Sequence, residues 1–290
     1  MKQLKLIDNN GVKMSNDLSD NFGSNFDWVI TKNTIIKNKD LPKTIYIKTD
    51  FLPEFTKYIL QTLTQEFILI TGCSDYSPSV NFPNEFNTII NHTYLKMWYT
   101  NNRIIIHPKL KDYPAGMCSY QNNYIRNLLL YNYFDTNIQK TNEKVLCIWN
   151  NRDTNVCGNE YVTRPTIRNW IKEYPDIFEW VEPTLTPFEF FKLLSNYKYI
   201  LCLVGNDIDP CPKSFEAIIL KTIPIIIKTP NTIDVYEDLP CILVDDFKEI
   251  LEPGFLETNY EKYKTTLDSN EILYKLSCEY WSNKIKSHFE

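Results

Sequence analysis

Apolar runs and amphipathic stretches follow one another along most of this chain. "TIYIKTD" (44–50) has the period-two pattern of a strand. "LPEFTKYILQTLT" (52–64) has helical spacing, with Pro53 in the first turn, where its missing N–H costs nothing. "FILITG" (67–72) is continuously apolar, as suits a strand buried on both faces. "YLKMWYT" and "RIIIHP" predict two more strands, and "FDWVITKN" near the start predicts an edge strand. A polar stretch, "DTNIQKTNEK" (135–144), interrupts the pattern and reads as a linker.

The alternation then restarts. "KVLCIWN", "FEWVEP", "YILCLVG", "IPIIIK" and "CILVDD" predict strands. Between them, "RPTIRNWIKEY", "TPFEFFKLLSNY" and "PKSFEAIILK" predict helices. Thr186 is a natural N-cap for the second helix, with Pro187 at its first position. Strand–helix alternation is the mark of a parallel sheet covered by helices. The pattern therefore predicts an α/β chain of two Rossmann-like domains, 1–140 and 141–265, with a ligand cleft between them at the carboxyl ends of the strands. A final helix over 271–287 is expected to pack back toward the first domain. Its Tyr274, Tyr280 and Trp281 need a surface to cover.

Composition changes this picture little. With 290 residues, 43% of them hydrophobic, the chain is long enough for two cores. A formal charge of −5 argues against general nucleic-acid binding, which needs basic excess. No apolar run reaches the roughly 20 residues of a membrane span, and the first residues lack the apolar segment of a signal peptide, so a cytosolic protein is expected. The eight Cys form no CxxC pair, and the three His have no ligand spacing to a Cys, so neither disulfides nor a structural zinc is expected. Cys147 and Cys202 lie in strand patterns, as small core residues do.

The chemistry concentrates in "GNDIDPCPKSFEAIILKTIPIIIKTP" (205–230), where a polar loop leads from a strand into a helix. Such a junction suits a phosphate. Lys213 adds a charge in the first turn, and Glu216, one turn on, can accept hydrogen bonds from ribose hydroxyls. From spacing alone, both are equally well read as solvated surface charges. In the first half, His107 follows an apolar run and is a candidate base, although a semi-buried structural His fits the same position.

"DPCPKSFEAIILKTIPIIIKTPNTIDVYEDLPCILVDDFKEI" resembles the exostosin-like glycosyltransferases and related GT-B enzymes, including those of large DNA viruses. The matching positions are Asp209, Pro210, Pro212, Lys213, Glu216, Ala217, Thr222, Ile223, Pro224 and Ile225, then Leu239, Pro240, Asp245 and Asp246. Phe215 stands where the family has Trp, and Lys221 where it has the helix-ending Gly. The resemblance implies a GT-B fold and a nucleoside diphosphate sugar as donor, used without a cofactor or metal and with inversion. It assigns Arg152, Asn206, Asp209, Lys213 and Glu216 to the donor, with Arg164 and Arg168 as looser matches. "FILITGCSDYSP" resembles the family's strand-to-loop segment and makes Asp75 the candidate base, set in a loop after a buried strand. Asp75 can equally serve only to shape its own loop. The acceptor is a glycan, protein or lipid-linked hydroxyl that the sequence does not specify.

Two other function classes fit parts of the chain. A non-catalytic nucleotide- or sugar-binding module would keep this fold. A dinucleotide-dependent enzyme would need a GxGxxG turn, which is absent from the sequence.

Overall fold

The computed structural model describes residues 26–30, 35–37, 39–72, 74–116, 140–150, 164–205, 208–210 and 212–290. These residues build two separate sheets. The first comprises β1 (Trp28–Ile30), β2 (Ile35–Lys37), β3 (Thr44–Lys48), β4 (Phe67–Gly72), β5 (Leu95–Thr100) and β6 (Leu110–Asp112), in the order β2-β1-β3-β4-β5-β6. All its pairings are parallel except β1 with β2. The second comprises β7 (Asn142–Cys147), β8 (Phe178–Trp180), β9 (Tyr197–Leu201), β10 (Ile223–Ile227) and β11 (Ile242–Val244), all parallel, in the order β11-β10-β9-β7-β8. These are the two Rossmann-like domains that the alternation predicts. Residues 135–139 of the expected linker lie outside the described residues, and from Asn142 the rest of it is already β7.

In the first sheet, Ile45, Ile47 and Leu69 face α1 (Leu52–Tyr58) and α3 (Pro83–Ile90), which contribute Leu52, Phe55, Phe86 and Ile89 to one apolar cluster. A single turn, α2 (Pro78–Asn81), precedes α3. Side chains alternate along a strand, so Val29, Tyr46, Ile68, Ile70 and Tyr99 join a different cluster. That cluster is continuous with the core of the second sheet and includes Trp281 and Ile285. One face of the first sheet thus packs on its own helices, and the other joins a cluster to which the end of the chain contributes.

The second sheet carries α4 (Arg164–Ile171), α5 (Pro187–Leu194), α6 (Lys213–Ile219) and α7 (Pro230–Tyr236). Thr186 caps α5 as expected: its hydroxyl accepts from Glu189 N–H while the Glu189 carboxylate reaches back to Thr186. Cys147 and Cys202 are buried free thiols. After β11 come α8 (Phe255–Tyr263), α9 (Asn270–Lys275) and α10 (Cys278–Lys286). Trp281 meets Tyr113 of the first half edge to face at 6.0 Å, and His288 shares a 2.8 Å hydrogen bond with the Tyr99 hydroxyl.

Several expectations need correction. "FDWVITKN" gives β1, an interior strand, because the hairpin partner β2 takes the edge. "RIIIHP" is a loop: Asn102 turns the backbone left-handed at φ 57°, Arg103 turns inward, and Ile106 is 82% exposed. The single helix expected over 271–287 is two, because Ser277 is extended and its hydroxyl caps α10 by accepting from Tyr280 N–H. Lys221 does the work of the missing Gly. It adopts φ 59°, its N–H reaches Ile218 O, and Thr222 N–H reaches Ala217 O, which completes a Schellman closure of α6.

Candidate functional site

In sheet order β11-β10-β9-β7-β8 the chain leaves β7 toward one edge and returns past it to build β9, so the loops after β7 and β9 diverge. A crevice opens at their carboxyl ends, and there lies a pocket of about 360 Å³. Ile148, Trp149 and Asn150 enter it from β7, and Leu203 and Gly205 from β9. Pro183 and Leu185 before α5, with Pro187 and Phe190 of its first turn, supply an apolar wall. Asp209, Lys213 and Glu216 line it from the loop and first turn of α6, and Arg164 from the start of α4.

Each polar group has a defined support. Lys213 Nζ donates to Ile148 O at the end of β7. Burial pushes the Lys213 ammonium down to about 8. Arg164 acts in the same direction, and Cys202 and Glu216 against it. Arg164 clasps the crevice, donating from Nε to Val204 O at 2.9 Å and from Nη1 to Asn150 O at 3.1 Å. Glu216 is 1% exposed, a carboxylate held inside the pocket wall rather than on the surface. Two cations and a carboxylate in one half-apolar crevice can hold an anion and hydroxyl donors together.

The remaining candidates are placed differently. The Asp209 carboxylate is engaged by the protein: Oδ2 accepts from Ala115 N–H of the first domain at 2.8 Å, and Oδ1 from the Tyr236 hydroxyl at 2.7 Å. Arg168 lies outside the pocket lining, pairing with Glu182 at 2.6 Å and stacking on Trp180. Asp75 is exposed, in the loop after β4, and does not line the pocket. His107 sits before the amino end of β6, away from the carboxyl edge, and its Nδ1 accepts from Lys109 N–H. Arg152 and Asn206 lie outside the described residues. The expected cleft therefore differs from the pocket found, whose described lining comes wholly from the second domain.

Sequence reasoning missed two contributors. Trp149 is 3% exposed, packs edge to face on Trp180 at 4.8 Å, and its Nε1 has no partner among the described residues. Its place directly after a buried strand was the available signal. Asn102, outside the lining but accepting from Ile208 N–H next to Asp209 at 3.0 Å, was hidden in "TNNR", whose paired Asn residues mark a turn but not its partners.

No known family model matches the chain, and no curated protein matches it by sequence. Solved structures resemble it weakly. TarM is 16% identical with a TM-score of 0.35, over 82% of this chain and 58% of its own. The spinosyn rhamnosyltransferase SpnG, complexed with thymidine diphosphate, is 12% identical with a TM-score of 0.35, over 85% of this chain and 70% of its own. The glycotransferase of kitacinnamycin is 7% identical with a TM-score of 0.36, over 87% of this chain and 77% of its own. The chain thus spans less than two thirds of the first of these. Among the described residues, no helix is long and apolar enough to cross a membrane.

Proposed function

We propose that this chain is a GT-B glycosyltransferase of the exostosin-like kind, moving a sugar from a nucleoside diphosphate donor to an acceptor hydroxyl. One observation carries the reading: Lys213, Arg164 and the buried Glu216 converge in a pocket at the switch point of the second sheet. These are also the kinds of residue, at two of the same positions, that the resemblance assigns to the donor.

In this reading Glu216 accepts hydrogen bonds from the ribose hydroxyls. Lys213 and Arg164 face the diphosphate, with Arg152 as a further partner. The acceptor oxygen attacks the anomeric carbon as the bond from that carbon to the diphosphate oxygen breaks. The electron pair leaves on the diphosphate, where fixed cations stabilise it without a metal or cofactor. The acceptor proton passes to a base, for which Asp75 is the candidate from the first domain, giving inversion.

A second reading, nucleotide binding without transfer, is favoured by the absence of any first-domain residue from the described pocket lining. Calorimetry with a panel of nucleoside diphosphates, followed by turnover of their sugar conjugates, separates the two. Binding with turnover supports transfer, and binding without turnover of any donor supports the second reading. No binding removes both. Asp75→Asn should lower turnover by about 100-fold with nucleotide affinity intact; near-normal turnover takes the role of base from Asp75.

A further inference from the structure

We propose that Asn102 is a positioning residue that fixes the pocket-lining residues of the second domain against the first-domain loop after β4. Its structural part stands apart from the nucleotide reading, and only its binding arm rests on that reading. Asn102 follows β5 by two residues and is fully buried. Its Oδ1 accepts from Ile208 N–H of the second domain at 3.0 Å, and its Nδ2 donates to Ser74 O of the first at 3.0 Å. One side chain thus ties the loop that carries Asp75 to the residue preceding Asp209. At the same seam Asp209 accepts from Ala115 N–H at 2.8 Å, a second tie from the same segment to the first domain.

Two independent requirements select Asn here. The side chain must accept from an N–H on one side and donate to a carbonyl on the other, and an amide does both where a carboxylate or an apolar group does not. The backbone stands at φ 57°, where Asn is tolerated far better than most residues. The start of the loop is similarly constrained, since a Cβ on Gly72 would come within 2.4 Å of Asn101 Oδ1. Ile208 is 1% exposed, so without Asn102 its N–H would be buried with no acceptor from this side chain. The pocket wall at Asp209 and Pro210 is therefore held by the other domain as well as by its own helix.

The test uses Asn102→Gly in the full chain, because glycine adopts φ 57° without steric strain, so the side-chain amide is lost with the backbone conformation kept accessible. Hydrogen exchange is read at the Ile208 and Ala115 amides, and affinity is measured for uridine and thymidine diphosphate. The variant should exchange faster at both amides and bind the nucleotide roughly tenfold more weakly, the usual scale of coupling between sites. Wild-type exchange at both amides overturns the proposal, and so does lost protection with unchanged affinity. If the wild type binds neither nucleotide, the donor reading fails, and exchange alone decides whether Asn102 holds the segment. If the variant does not fold, the wild type decides. Protection of Ile208 and Ala115 comparable to the strand amides supports the tie, and exchange at open-loop rates overturns it.

Discussion

Asn231 Nδ2 donates to Asp112 Oδ1 at 2.7 Å, joining the start of α7 in the second domain to the end of β6 in the first. The other Asp112 oxygen accepts from Arg103 Nε at 2.6 Å, and Arg103 also reaches Pro230 O and Asp234. Arg103, Asp112 and Asn231 are all buried. Removing Asp112 leaves the buried Arg103, among the described residues, with only the longer 3.2 Å pair to Asp234 and takes the acceptor from Asn231 Nδ2. Asp112→Ala should therefore cost about 3–5 kcal/mol of stability. Asn231→Ala should cost less, about 1–3 kcal/mol, because the ion pair survives. Urea unfolding measures both, and a reversed ranking would mean that the carboxylate is not the centre of the seam.

Lys213 sets a pH dependence for the candidate site. Its ammonium titrates near 8 because it is buried. A bound diphosphate favours the charged form and raises that value. Nucleotide affinity should then be highest below about 8 and weaken as pH rises through it, because binding must first recover the proton. Stability without ligand runs the other way. The folded state holds fewer protons than the unfolded one between about 8 and the unfolded value near 10.4, so Lys213 makes stability rise with pH across that window. Calorimetry from pH 6.5 to 9.5 checks the binding arm, and Lys213→Met should flatten the profile.

Glu216 gives the sharpest test of the donor pocket. Glu216→Ala should cost roughly 1.5–3 kcal/mol of nucleoside diphosphate affinity, the range for hydrogen bonds to a charged group. Deoxyribose nucleotides that lack the 2′-hydroxyl should lose less when Glu216 is replaced. Equal affinity in wild type and variant would remove Glu216 from the site.

Lys221 holds a left-handed conformation that costs an L-residue about 1–2 kcal/mol. Glycine removes that strain but costs roughly 0.4–1 kcal/mol through the unfolded chain. Lys221→Gly also loses the 2.6 Å pair with the mostly exposed Asp268, which is worth about 0–1 kcal/mol. Measured in an Asp268→Ala background, which removes that pair from the comparison, Lys221→Gly should stabilise by about 0.5–1 kcal/mol. Thermal unfolding that shows a loss instead would place the Lys221 stem among the stabilising contacts.

The two-domain α/β plan was legible in the apolar pattern, since continuous apolar runs such as "FILITG" and "IPIIIK" leave a strand no exposed face. So was the cap at Thr186, whose partner Glu189 is three residues away. The junction that carries Lys213 and Glu216 was legible for the same reason, because strand, loop and helix follow one another there. Local rules cover such contacts. The remaining features depend on contacts between distant segments. Whether Glu216 is a surface charge or a pocket wall depends on what packs over α6, and no spacing encodes that. Asp209 spends its carboxylate on Ala115, 94 residues away, and Asn102 reaches Ile208 across 106. "RIIIHP" has the composition of a strand, but the left-handed Asn102 and the burial of Arg103 against Asp112 turn it into a loop and leave Ile106 in solvent. Pattern reports which residues avoid water. It does not report which partner, far along the chain, satisfies a buried polar atom, and that pairing is what fixes the seam and shapes the pocket.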